Sequence, residues 1–248
     1  MTMQDAHEKS HAPEGVSCAS CGLYQFCLPL GLSSNDMELL DRIVASRHEC
    51  KRGGYLFRAG DPFQSLYAIR SGSFKIFDLG PEGREKITGF YLTGDMLGMD
   101  AISANQHFYN ATALEDSRVC AIPLERLEEL GHHVPALMHH FHKLMSREVV
   151  HDQSLALLLN GTKAEQRVAV FLLDLSQRFA TRGYSPHHFN LRMTREEIGN
   201  YLGLTLETVS RVLSKFQSAG LVKVHHKDIV LRDPDRMREI VDPTLRRH

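Results

Sequence analysis

The stretch Thr194-Arg195-Glu196-Glu197-Ile198-Gly199-Asn200-Tyr201-Leu202-Gly203-Leu204-Thr205-Leu206-Glu207-Thr208-Val209-Ser210-Arg211 reads as two short helices set across a tight turn. Thr194 and Glu197 form a capping box, in which each side chain satisfies the other's free backbone donor, so a helix starts there. It runs through Ile198 and Leu202 to Gly203, which supplies the positive φ that the turn needs. A second helix starts after Thr205 and puts Val209, Val212, Leu213 and Phe216 on its buried side. Gly199 leaves room where the helices cross, and Ile198, Leu202, Leu204, Val209 and Val212 give the pair a small shared core. Two amphipathic helices of any helical domain would explain the apolar positions but not both glycines. The combination predicts a helix-turn-helix.

On the second helix Glu207, Ser210 and Arg211 stand at i, i+3 and i+4, opposite the buried stripe. Arg211 can bridge the O6 and N7 acceptors of a guanine, Glu207 can accept from a cytosine amino group, and Ser210 can meet a neighbouring base. A solvated Glu–Arg pair is the plain alternative. The two are compatible, because Glu207 can also orient Arg211. The charge distribution agrees with a polyanionic partner: residues 163–248 carry a net +5 and residues 1–162 a net −6, inside an overall −1. A surplus of this size is by itself weak support.

Downstream, Val222–Leu231 has the alternation of a β-hairpin, and upstream Val168–Leu175 is patterned as a helix. Val134 to Leu159 reads as one long helix, stopped by Asn160-Gly161. It has two apolar faces. Leu137, Phe141, Leu144 and Leu155 suit its own domain, whereas Met138, His142, Met145, Val149, Ala156 and Leu159 alternate spacings of four and three. That second stripe is a coiled-coil seam interrupted by Asp152. In a parallel pair the two aspartates would approach and repel by ~1–4 kcal/mol at ~4 Å, unless each rotates to water.

From Lys51 to Pro123 glycines recur between β-rich pieces such as Ser65–Ile69 and Phe74–Phe77, which predicts a small β-barrel or sandwich. Ser34 to Arg47 reads as a short helix. The first residues lack an apolar leader, and no run approaches the ~18 apolar residues of a membrane span, so a cytoplasmic protein is expected. Five cysteines in such a chain argue against a disulfide framework. Cys18, Cys21 and Cys27 follow C-x2-C-x5-C, and Cys120 lies far away in an apolar run. Four thiolates suit zinc or an iron–sulfur cluster, and spacing alone leaves both open. Cys50 lacks a partner at ligand spacing and reads as a solvent-facing thiol. No nucleophile–base pairing or phosphate loop suggests an enzyme. The adjacent histidine pairs His132-His133, His139-His140, His187-His188 and His225-His226 point apart and read mostly as solvated surface.

Ile198–Arg211, Leu66–Gly72, Ile87–Phe90 and Gln177–Gly183 together closely resemble the CRP/FNR family of transcription regulators, and within it the FNR (fumarate and nitrate reduction) branch. The resemblance covers nearly the whole chain. It implies an α+β protein: a cysteine-rich cluster-binding segment at 1–30, a cyclic-nucleotide-binding-like β-barrel sensor domain at 31–130, a dimerisation helix at 131–160, and a winged helix-turn-helix at 161–248. It implies that Cys18, Cys21, Cys27 and Cys120 hold an oxygen-labile [4Fe-4S] cluster, favouring that group over the zinc-containing or haem-containing alternatives. Glu207, Ser210 and Arg211 match the residues that read TTGAT half-sites of a palindrome, and contacts to RNA polymerase fall at Ser71, Gly83, Arg84 and Arg182.

Gly22, directly after the second cysteine, stands where the family can carry a side chain that shields the cluster, so oxygen lability is open to change here. Around His107–Ala113 no arginine is present to clamp a cyclic phosphate, so a cyclic nucleotide is not expected. A homodimer with the cluster bound, active on anaerobic metabolism genes, is the implied switch. Cluster assembly at Cys120, just ahead of Leu124–Leu130, would reposition the long helix against the Asp152 penalty. A complete switch needs ~5.5 kcal/mol, so several contacts must change.

Overall fold

The N-terminal half is built from two four-stranded antiparallel sheets, and the helices that follow continue from β8, an interior strand of one of them. The computed structural model describes residues 17, 18, 21, 23, 27–29, 31–44 and 46–242; the polar leader and Gly22 lie outside the described residues. Helix α1 (Ser34–Ile43) is capped by Ser33, whose hydroxyl accepts from the Asp36 N–H at 3.2 Å. It ends four residues earlier than the apolar spacing predicts. The reason is tertiary: Ser46–Cys50 pairs as β1 with β8 (Ser117–Pro123), and extended pairing outcompetes another helical turn. The register sets Arg47 opposite Cys120.

One sheet has the order β1, β8, β3 (Ser65–Ser71), β6 (Met96–Leu97); the other runs β2 (Tyr55–Phe57), β7 (Asn110–Ala113), β4 (Ser73–Leu79), β5 (Glu85–Leu92). The expected barrel is thus two separate sheets, the sandwich form of the same strand pattern. Phe57, Ile69, Phe74, Ile76, Leu97 and Val119 form a core among their strands. Gly72, at φ +92°, turns β3 into β4, and a Cβ there would lie 2.1 Å from the Ser117 hydroxyl, so only glycine fits. Cys50 corrects the sequence reading. Rather than facing solvent it is 7% exposed, and its thiol donates to the Gly54 carbonyl at 3.3 Å.

Helix α2 (Leu124–His133) follows β8 directly, and α3 (Pro135–Leu159) follows α2 with Pro135 in its first turn. The α2–α3 corner is close: a Cβ on Gly131 would lie 2.2 Å from Met138 Cγ. Leu127, Leu130, Leu137 and Phe141 bury themselves there with Leu28 and Leu40. The C-terminal part contains α4 (Ala164–Thr181), β9 (His188–Asn190), α5 (Arg195–Leu202), α6 (Leu206–Ser218), β10 (Val222–His225), β11 (Asp228–Leu231) and α7 (Pro234–Val241). The sheet order β10, β11, β9 makes the wing, with a third strand that sequence spacing does not announce.

The two halves share a core, because Phe77, Ile87, Phe90 and Leu92 pack with Leu172, Tyr201 and Leu202. Polar contacts fix their orientation. Asn200 accepts from the Ile87 N–H at 2.8 Å and donates to the Glu85 carbonyl at 2.7 Å. Lys75, 9% exposed, pairs with Glu85 at 2.5 Å and with Glu197 at 3.2 Å. Asp95 receives Arg178 at 2.6 Å and also Arg182.

Candidate nucleic-acid interface and cysteine centre

The capping box at the head of α5 is present: the Glu197 N–H donates to Thr194 Oγ1 at 3.1 Å, and the Thr194 N–H to Glu197 Oε2 at 2.7 Å. Gly203 ends α5 at φ +63°, and the Leu204 N–H returns to the Gly199 carbonyl at 2.8 Å. Thr205 caps α6 by accepting from the Thr208 N–H at 3.2 Å. Val209, Val212, Leu213 and Phe216 are buried, and burying each fixes α6 on α5 by ~1.5–3 kcal/mol. Glu207 and Arg211 consequently face water, while Ser210 is half-buried.

Two neighbours escape sequence reasoning. Arg195, at the first position of α5, donates to the Ser210 hydroxyl at 3.1 Å, and Thr208 accepts from Arg211 at 3.5 Å. Nothing in local spacing joins Arg195 to α6; the helix crossing does. The Glu207 carboxyl is held below its ordinary range by backbone and Thr205 hydrogen bonds at the helix start, so it stands as an acceptor.

At the other end of the molecule, Cys18, Cys21 and Cys27 meet Cys120 of β8 around one cavity of about 40 Å³, walled by Leu28, Leu40, Ile69 and Ile122. A single water needs roughly 10–15 Å³ on this measure. Burial pushes the Cys18 and Cys27 thiols up to about 12, with Asp41 adding to the effect at Cys18. Cys120 is raised too, chiefly by burial, while the guanidiniums of Arg47 and Arg70 pull it back. Asp41 also accepts from the Cys18 N–H at 3.1 Å, which anchors the first cysteine to α1.

The donor set, four thiols lining one cavity, fits a metal centre. Among the described residues, the group of three metal-binding side chains with ligand atoms within 4.8 Å of one another is Glu148, His151 and Asp152; the cysteine sulfurs form no such group. Four thiols around an apolar cavity, with Arg47 and Arg70 beside Cys120, make a donor set that suits zinc or an iron–sulfur cluster.

Along α3 the predicted seam divides. Met138 and Met145 are half-buried against the core beside the cysteines, and Leu159 is half-buried, whereas His142, Val149, Asp152 and Ala156 are exposed. The sequence stripe omitted Val150 and Leu157, which flank it; Val149, Val150 and Leu157 are 55%, 57% and 74% exposed. Asp152 Oδ1 lies 3.7 Å from His151 Nδ1, and Glu148, which accepts from Tyr91, sits in the same group.

Of the residues matched to polymerase contacts, Ser71, Gly83 and Arg84 are exposed. Arg182 differs from them: its side chain is 8% exposed, and its guanidinium is taken up by Asp95 and by the Thr93 carbonyl at 2.6 Å. In the sheet domain His107 is 3% exposed and stacks on Phe57 with ring centroids 3.7 Å apart. The histidine pairs are exposed as read, except His140.

A cyclic nucleotide-binding domain family matches residues 47–133, and a Crp-like helix-turn-helix domain family matches residues 166–240. The chain is 44% identical over 229 residues to the fumarate and nitrate reduction regulatory protein of Escherichia coli strain K12, covering 92% of each chain. It is 44% identical over 225 residues to the fumarate nitrate reduction regulatory protein of Klebsiella oxytoca, covering 91% of this chain and 90% of that one. The solved structure of FixK2 from Bradyrhizobium japonicum is 30% identical, with a TM-score of 0.73, and covers 79% of this chain and 97% of that one. Among the described residues, no helix is long and apolar enough to cross a membrane. With the capped helix pair, the wing and the two-sheet domain in place, these likenesses show that the chain belongs to the CRP/FNR family of helix-turn-helix transcription regulators, on its fumarate and nitrate reduction branch.

Proposed function

We propose that the protein is an oxygen-responsive regulator in which Cys18, Cys21, Cys27 and Cys120 hold a [4Fe-4S] cluster, α3 pairs with its mate in a second copy, and two copies of α6 read a palindrome of TTGAT-type half-sites in control of anaerobic metabolism genes. The observation that carries it is the convergence of three cysteines from the N-terminal segment with Cys120 of β8 on one cavity. When bound, the cluster supplies oxygen-labile iron–sulfur chemistry. The chain supplies the rest. Arg47 and Arg70 offset negative charge beside Cys120, and Leu28, Leu40, Ile69 and Ile122 keep water away.

Dimerisation is supported by the exposed apolar strip Val149, Val150 and Leu157, which water disfavours and a parallel mate would cover. Asp152 lies in that strip, and its repulsion from its mate keeps the pair weak until order around Cys120 and the α2 that follows it tips the balance. Glu207, Ser210 and Arg211 then read base edges twice, with Arg195 steadying Ser210. Ser71, Gly83 and Arg84 supply exposed surface for RNA polymerase. The Phe57–His107 stack and the lack of an arginine at 107–113 leave no charged clamp for a cyclic phosphate, so the domain works without a cyclic nucleotide.

Iron and acid-labile sulfide assay of anaerobically purified protein tests the centre. About four of each per chain, lost in Cys120→Ser, is expected; zinc without sulfide contradicts it. Asp152→Ala should sediment as a dimer with or without the cluster, and an aerobic monomer would reject the seam.

A further inference from the structure

We propose that His140 is a positioning residue that ties the cysteine loop to α3 and so carries order at the cluster into the dimerisation helix. The inference rests on the reading of Cys27 as a cluster ligand. His140 lies on α3 at 5% exposure, one turn from Leu137 and next to Phe141, where an aliphatic residue would pack at no polar cost. Its Nε2 lies 3.1 Å from the backbone carbonyl of Cys27, 113 positions away in sequence. A carbonyl only accepts, so the imidazole carries the hydrogen on Nε2 and donates it. A buried imidazole is tolerated where such a bond is made, and the bond here goes to the third cysteine of the loop.

The next residue closes the clamp. Leu28 is 0% exposed and sits in the core with Leu127 and Leu130 of α2 and Leu137 and Phe141 of α3. Cys27 and Leu28 are therefore held to one helical turn of α3 by a hydrogen bond and by an apolar plug. The same rigid helix presents Val149, Val150 and Leu157 about two and a half to five turns farther on. A loop drawn into place by its cysteines can act on α3 through this clamp directly, in addition to the path through Cys120 and α2. His139 and His142 on the same helix are exposed, and among the described residues neither is bonded to Cys27 or Leu28.

The test compares His140→Leu, which keeps bulk but loses the donor, with His140→Gln, which keeps an N–H at similar reach. Anaerobically reconstituted proteins are matched for cluster content by their visible absorbance and examined by sedimentation equilibrium. At equal occupancy His140→Leu should dimerise roughly tenfold more weakly than the parent, the effect of one lost buried hydrogen bond, and His140→Gln should stay within about twofold. In cluster-free protein, amide hydrogen exchange at Leu28 should be faster in His140→Leu than in the parent. Equal dimerisation of His140→Leu and parent at matched occupancy, or equal exchange at Leu28, overturns the proposal. A parent whose own dimerisation ignores the cluster overturns the functional reading instead, and the exchange comparison still decides whether the tie exists.

Discussion

Replacing Gly199 by valine tests whether the helix crossing itself sets the reading surface. An added Cβ at Gly199 would lie 2.7 Å from the Leu204 carbonyl oxygen and 3.3 Å from Thr205 C, and reaching the 3.4 Å of ordinary contact requires a displacement of about 0.7 Å. Both neighbours are backbone atoms of the turn that launches α6, so no side chain can swing aside. Valine adds two methyls to that contact. The shift moves Glu207, Ser210 and Arg211 together, and base-reading hydrogen bonds weaken steeply with such misplacement. Each good bidentate contact is worth ~1–3 kcal/mol, and a palindrome contains two half-sites, so specific binding should weaken by roughly a hundredfold or more. Phosphate contacts tolerate the shift, so binding to a scrambled duplex should change little. Fluorescence anisotropy on both duplexes at one salt concentration measures the ratio, with thermal melting to show that the variant is folded. A folded Gly199→Val protein that discriminates the palindrome as well as the parent refutes the reasoning.

Asp95→Ala removes the carboxylate that Arg178 and Arg182 share, leaving Arg178 with Asp174 at 3.6 Å and Arg182 with backbone carbonyls; their side chains are 19% and 8% exposed, and the cost is roughly 3–5 kcal/mol. At ~2–4 °C per kcal/mol the melting midpoint should fall by roughly 6–20 °C, and an unchanged midpoint would show that the buried pair does not hold the two halves together. His151 is raised above its ordinary value, first by the Asp152 carboxylate 3.7 Å away and then by Asp174 and Glu148, against burial and Arg178. A raised value in the fold means that the protonated form is favoured there. Its stabilisation is complete below about pH 6.5 and is lost as pH rises through the folded value. Melting midpoints across that window should fall more in the parent than in His151→Gln, and parallel curves would exclude the contribution.

The reading unit was legible because its determinants are local. Thr194 with Glu197, the two glycines and the spacing of Val209, Val212 and Phe216 each act within a turn or two. The long helix was legible for the same reason, although the exposed Val150 and Leu157 were missed because a strict seam ignores flanking positions. What was not legible depends on distant partners. Helix α1 stops at Ile43 because β8 recruits Ser46–Cys50, and Cys50 turns inward with that strand. Arg182 is withdrawn from the surface by Asp95, Arg195 gains its role from the helix crossing, and His140 is buried by Cys27. A single sequence without contacts shows none of these pairings. The four cysteines stand between the two cases: their spacing suggested a metal centre and left zinc and a cluster open, and their gathering around one cavity depends on the fold that brings Cys120 of β8 to the N-terminal segment.

The most direct measurement is the affinity of anaerobically reconstituted protein for a duplex with two TTGAT-type half-sites, before and after exposure to air. Before exposure, the palindrome should bind at least roughly a thousandfold more tightly than a scrambled duplex, with two chains per duplex. After exposure, with the visible absorbance bleached, that preference should collapse. Bleached protein that keeps the full preference for the palindrome would contradict the link from cysteines to DNA.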